Sequence, residues 1–411
     1  MAFEKIENKI LKCFEELNGL FETGSGEMEI PQCLDWIGME GEGERSGFVN
    51  PDEENPIDAA LFCSWLDPVS LLEFFRSSYP YFEFMKERLI PRIRFLAFLG
   101  LSSSNTISEA YRKLKPDKFQ LLGFESTPTY EVLREFVNER LRPNRFQDFL
   151  VVLVLEIKDL LAEKRVKLGN RCGQDASDEP SLKHDIEAKY SGYYKEYGYK
   201  FDVVHDLDQE TLPLHYTYME ITDDEGKDLI PAQEHLRNMD IKPEEWKIDG
   251  KYATYENIAG SELNNTHLIY EIQERWVYNP KGSEREIKRL YQKHWEDPDF
   301  KVDPNMKYML NFLSDHGETE AVGAYYRNMR MKKAEDNPQM IAKECGERSG
   351  KTEGIVSVAK KETILDRRLP RRGFKTFIWV LGIAMMTFAF AALIRLQNGF
   401  FDRLGNLTYI T

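Results

Sequence analysis

From Phe377 to Ile394 the chain reads FIWVLGIAMMTFAFAALI, 18 residues without a charge, with Lys375 before the run and Arg395 after it. A helix over this run is apolar on every side, which leaves it two fates. It crosses a membrane, whose hydrocarbon core needs about 20 apolar residues, or it is the central helix of a folded core. Gly382, Ala384, Ala389, Ala391 and Ala392 suit the second fate, because small side chains let neighbouring helices approach closely. The run alone leaves both open.

The remaining composition narrows the setting. A chain of 411 residues can hold two or three domains and a large core. Its five cysteines, Cys13, Cys33, Cys63, Cys172 and Cys345, form no CxxC pair and have no histidine at ligand spacing. That excludes a disulfide framework and a zinc knuckle and fits a reducing cytoplasm. The opening MAFEKIENKI is charged and amphipathic, so no signal peptide is expected.

The net charge of −15 is unevenly spread, with fifteen Asp/Glu against four Lys/Arg in residues 1–60. From Arg327 to Lys375 the bias reverses, with fourteen Lys/Arg against seven Asp/Glu. A local surplus of cations can face a polyanion whatever the whole-chain charge, although a solvated helix face has the same composition.

Residues 1–57 read as an acidic, partly unstructured leader, rich in Gly, Glu, Pro and Asn after residue 24. Residues 58–163 read as an all-α region able to bind DNA. Thr106 and Glu109 have capping-box spacing, Thr127 with Pro128 predicts a helix start, and Val132, Leu133, Phe136, Val137 and Leu141 form one apolar face. After Arg165 the period changes. VKLGNRCGQDAS, YKFDVVHDL and LPLHYTYMEI read as strands, KDLIPAQEHLRN as a helix, EWKIDGKY as a strand, TYENIAG as a helix and HLIYEIQE as a strand. Three strands, helix, strand, helix, strand is the order of an α/β ribonuclease H-like domain, a mixed sheet flanked by helices. We assign it to 164–400, with an aperiodic insertion at about 275–325 and a tail at 401–411.

The stretch ECGERSGKTEG, residues 344–354, imitates a phosphate-binding loop, but Gly346 and Gly350 are three residues apart where the motif needs four. No apolar strand precedes it either, so no nucleotide is expected. On a helix Glu353 and Lys360 share a face, seven residues apart. Asp175 is expected at the end of the first strand and Asp249 at the end of the strand after the first helix, where such a sheet would bring them together with Glu353. Three carboxylates can hold two Mg²⁺ ions, or Mn²⁺ in their place, for in-line attack on a phosphodiester. Asp178 rivals Asp175 for the first position, and each aspartate taken singly also suits a turn or cap.

The segments QDASDEP, DIEAKYSGYYKEYGYKFDVVHDLDQETLPL, KIDGKY, RSGKTEGIVSVAKK and RRGFKTFIWVLGIAMMTFAFAALIRLQNG resemble, in order and spacing, the DDE transposases of prokaryotic insertion elements, the insertion-sequence four/five-type superfamily. The upstream ISEAYRKLKPDKFQLLGFESTPTYEVLREF resembles their helical N-terminal region. The resemblance covers about residues 65–400 and implies an enzyme that cleaves and joins DNA through an Asp, Asp, Glu triad. Carried over by position, the triad and metal ligands are Asp175, Asp249 and Glu353, and Lys360 keeps the family's spacing from the glutamate. Arg348 lies one residue upstream of the pattern, and Cys345 stands where a tyrosine is expected. Arg348, Lys351, Lys360 and Lys361 are then the expected DNA-binding cations. The implied partners are transposon-end and target double-stranded DNA and, when two ends are paired, a second copy of the chain. No membrane is implied, so the apolar run is expected inside the protein, near the nucleoid in the cytoplasm. The alternatives are an inactive DNA-binding remnant of such an enzyme and a protein anchored in a membrane through 377–394.

Overall fold

The computed structural model describes residues 50–410 except 53–55, 103, 105, 183, 194, 210–211, 273–275, 277, 295–304, 364, 366–372 and 402–403. Of residues 345, 347–355 and 362 it describes only the helical backbone. The predicted leader therefore lies almost wholly outside the described residues, and so do the side chains of Arg348, Lys351 and Glu353.

The N-terminal part is helical throughout: α1 (Ala59–Ser64), a 3₁₀ segment (Val69–Ser78), α2 (Phe82–Leu101), α3 (Ile107–Lys113), α4 (Pro116–Leu121), α5 (Tyr130–Glu135) and α6 (Phe146–Glu163). Local chemistry sets several of the boundaries. Asp58 caps α1, its Oδ1 accepting from Ala60 N at 2.9 Å, while Lys118 Nζ meets its Oδ2 at 2.5 Å. The Thr106 hydroxyl accepts from Glu109 N at 3.1 Å, as its spacing predicts. Thr127 and Pro128 do not start α5; the chain stays extended through Thr129, and the helix begins at Tyr130. Leu133, Phe136, Val137 and Leu141 are buried as expected, although the last turns from Phe136 are wound as a π-helix.

A mixed sheet follows, with β1 (Arg171–Pro180), β2 (Lys189–Ser191), β3 (Glu196–Asp206), β4 (Leu212–Glu220), β5 (Glu245–Lys247) and β6 (His267–Ile269). The spatial order is β4-β3-β1-β5-β6. The pairs β4–β3 and β3–β1 are antiparallel, and β1–β5 and β5–β6 are parallel. Helices α7 (Leu229–Asn238) and α8 (Tyr255–Leu263) make the crossovers that parallel pairing requires. Gly198 pairs with Pro180 on one side and Lys189 on the other, so β2 continues the outer edge of β3 where β4 stops. Burial of β3 from Gly198 to Asp206 without alternation means that helices cover both faces.

Residues 275–325, which show no clean period in sequence, are largely helical: α9 (Pro280–His294), α10 (Met306–Asp315) and the start of α11 (Thr319–Asp336). They close around a small core of their own, with Ile287, Leu290, Tyr291, Met309, Leu310, Leu313 and Val322 packed on Ala259 of α8. The pattern is faint because α9 buries only three side chains in fifteen residues. Beyond α11, α12 (Pro338–Glu362) runs along the sheet and α13 (Phe374–Gln397) holds the apolar run.

Helix α13 is long and apolar enough to cross a membrane, and 89% of its most hydrophobic window is buried inside the protein. Every residue from Val380 to Leu396 is buried, against α6, α2 and β4. Two glycines set how close its neighbours come. A Cβ on Gly100 of α2 would lie 2.1 Å from Thr387 Oγ1, and one on Gly382 would lie 2.3 Å from the Phe146 ring. Even the flanking Arg395 is inside, donating to Leu404 O at 2.8 Å and Asn50 Oδ1 at 2.9 Å. Beside it the two ends of the described chain meet, Ile57 N donating to Tyr409 O at 2.9 Å. One continuous core joins the N-terminal helices, the sheet and α13.

Gly100→Ala should therefore cost about 1–3 kcal/mol by overpacking, more than the helix propensity it gains. The double variant Gly100→Ala/Thr387→Ala should recover part of that loss in denaturant unfolding.

Candidate active site

The parallel register of β1 and β5 is the starting point. Arg171 lies beside Glu245, Cys172 beside Trp246 and Gly173 beside Lys247. The Arg171–Glu245 ion pair, Nε to Oε2 at 3.0 Å, shows that these odd-numbered positions share a face. Asp175 and Asp249 each lie two residues past the last register pair, Gly173 with Lys247. Asp175 is not at the end of β1 as the sequence suggested. It pairs with Val203 midway along, because β3 carries β1 on to Pro180 after β5 has ended. Asp249 lies two residues past the end of β5, in extended backbone that leads into a 3₁₀ turn at Gly250–Tyr252.

Behind this pair lies a buried polar network. Trp246 Nε1 donates to Gln174 Oε1 at 3.0 Å, Gln174 Nε2 donates to Asp202 Oδ2 at 2.8 Å, and the Tyr252 hydroxyl donates to the same oxygen at 2.9 Å. Asn257 Nδ2 fixes the turn by donating to Tyr252 O at 2.8 Å. The network ties β1, β3, β5 and the Asp249 turn together through Gln174, next to Asp175, and Tyr252, three residues past Asp249. Asp202 is 1% exposed, and its Oδ1 has no hydrogen-bond partner. Burial, reinforced by the nearby Asp228 carboxyl, pushes Asp202 well above the usual carboxylate range, which favours its protonated form.

Helix α12 packs on the same sheet, against β1 and β3. Near its start, Glu344 meets Arg330, whose guanidinium also donates to Tyr270 O, just past β6, at 2.9 and 3.2 Å. Near its end, Lys360 Nζ donates to Asp178 O on β1 at 2.5 Å. The helix packs on β1 and, less, on β3, and position 353 lies between these two anchors along it. Val356 and Ala359 seat the helix in the core, while Lys361 is exposed. Beside Lys360, Glu196 of β3 shares a hydrogen bond with Asp178, and its pKa is raised first by burial and then by that carboxyl, with Lys360 opposing.

The structure thus puts the segments that bear Asp175 and Asp249 side by side and brings Lys360 to β1 at Asp178. Arg348, Lys351 and Glu353 it locates only as backbone positions in α12. Among the described residues no three Asp, Glu, His or Cys side chains gather as a metal-ligand group. Sequence reasoning missed Asp202, Gln174, Trp246 and Tyr252. One signal was present: in YKFDVVHDL an aspartate stands inside an otherwise apolar run, and a carboxyl buried there needs partners.

Tyr252→Phe removes one of the two donors to Asp202 and should cost about 1–3 kcal/mol in chemical denaturation. Asp206, at the end of β3, is pushed up to about 6 by burial, against the backbone N–H groups of Gly169, Asp208 and Gln209. Its folded pKa lies above the unfolded value of about 3.9, so its contribution is present below pH 4 and is lost as pH rises to 6, a change on the order of 3 kcal/mol. Unfolding free energies of Asp206→Asn should vary less over that window than those of the parent.

No protein-family model matches the chain, and no curated protein matches it. A solved structure described as "Cryo-EM structure of piggyBac transposase synaptic complex with hairpin DNA" aligns over 84% of this chain and 83% of that one, at 9% identity and a TM-score of 0.28. A similarity that loose carries no argument about this chain.

Proposed function

We propose that the chain is a DNA transposase that cuts and joins strands at the ends of its own mobile element. The single observation that carries the reading is the parallel pairing of β1 with β5, which lays the two aspartate-bearing segments side by side, Asp175 two residues past Gly173 and Asp249 two past its partner Lys247. The strand order β4-β3-β1-β5-β6, three antiparallel strands extended by two parallel ones, supports a ribonuclease H-like domain at 164–400. The helices of 58–163 would then serve DNA recognition.

Asp175, Asp249 and Glu353 would hold divalent cations, Mg²⁺ or Mn²⁺. Oxygen-only donors suit such hard ions, and α12, which bears Glu353, packs on β1, which bears Asp175. Metal bound there supplies Lewis-acid activation of the attacking oxygen and stabilisation of the leaving one. The chain's own part is to fix geometry. The Trp246–Gln174–Asp202–Tyr252 network holds the two aspartate-bearing segments in register. Lys360 and Lys361, with Arg348 and Lys351 earlier on α12, would bind backbone phosphates, which positions DNA without reading its sequence. Paired ends would call for two copies of the chain, working at the nucleoid.

Purified protein with Mg²⁺ should nick supercoiled DNA that carries the sequences flanking its gene. Asp175→Asn, Asp249→Asn and Glu353→Gln should each lower the rate by about 100-fold or more. A Glu353→Gln variant as fast as the parent would remove the glutamate from the site. Lys360→Ala should weaken binding by a similar factor on every DNA sequence tried.

A further inference from the structure

We propose that the β2–β3 hairpin is a stacking platform for unpaired nucleobases beside the candidate active site, an inference that rests on the DNA-processing reading above. Large apolar side chains crowd outward in this one short segment: Ile186 is 97% exposed, Tyr193 80%, Tyr197 58% and Tyr190 49%. Tyr190 and Tyr197 are cross-strand partners with ring centroids 5.1 Å apart. Tyr193 stands at the turn, with Lys251 Nζ 5.7 Å from its ring centroid. Exposed rings lose the hydrophobic stabilisation that burial would give them, so the folded domain alone does not account for three together.

Charge indicates the occupant. The hairpin's acids are turned to internal partners: Asp185 Oδ2 accepts from Tyr199 and from Gly373 N, both at 2.9 Å, Glu187 Oε2 accepts from Phe374 N at 2.6 Å, and Glu196 bonds Asp178. Lys189, Lys195 and Lys251 are exposed around the rings. Ring faces interleaved with cations suit a strand whose bases are open to stacking and whose phosphates are anionic. A duplex hides its base faces and would engage only the lysines. The location agrees, because Lys251 is two residues past Asp249 and Glu196 reaches β1 three residues past Asp175. A strand end released at the carboxylates would have this surface beside it.

The test is fluorescence anisotropy of the full-length protein, in EDTA, with a labelled oligothymidylate and with a labelled duplex. Tyr193→Ala should weaken single-strand binding by about fivefold to a hundredfold, and Tyr190→Ala/Tyr193→Ala/Tyr197→Ala by more, with duplex binding unchanged. Tyr193→Phe should bind as the parent does. A triple variant that holds oligothymidylate as tightly as the parent overturns the platform, and so does an equal loss on both DNAs. A parent with no single-strand affinity also overturns it and leaves the rings to a protein partner. Asp175→Asn separates the two readings: it should abolish nicking and keep oligothymidylate binding. A parent that never nicks, yet loses single-strand binding in the triple variant, removes the transposase and leaves the platform standing.

Discussion

Strand β1 is bonded antiparallel to β3 on one edge and parallel to β5 on the other, and the rest of the structure depends on that change of direction. The antiparallel side needs only short turns, so β3 and β4 follow quickly and run long. The parallel side needs crossovers, which bring in α7 and α8 and leave β5 and β6 three residues long. A short parallel strand ends where its long neighbour continues. The step between them is where Asp249 turns away beside an Asp175 still held in a ladder.

The second constraint is enclosure. A sheet covered on both faces needs an apolar partner on each, and α13 supplies one with side chains buried all round. Phe377 meets Tyr199 in a stacked pair, centroids 5.0 Å apart, so the C-terminal helix and the third strand share one aromatic seam. The same seam turns Asp185 and Glu187 toward the start of α13, and that frees the hairpin beyond them to present its lysines and rings outward.

Much of this was legible in sequence wherever a local rule governed it. Apart from the unforeseen β2, the order of strands and helices after Arg165 followed from change of period, and the Thr106 cap and the buried Leu133, Phe136, Val137 and Leu141 followed from spacing. The misplaced elements were set from afar. Asp175 sits mid-strand because β3, twenty residues on, extends β1; α9 and α10 show little period because they share a small core in which each buries three side chains. The order of elements pointed to two aspartate-bearing segments side by side; the level at which the residues stand is a matter of register, which no spacing within either segment encodes. Asp202 was hidden for the opposite reason, as a polar residue inside a run whose apolar neighbours dominated its reading.

The bridge between Ile57 and Ile410, with Asn50 held by Arg395 alongside it, clasps the first described segment to the last. Fraying that starts at either of these two segments must release the other, so parts more than 300 residues apart in sequence open together or not at all.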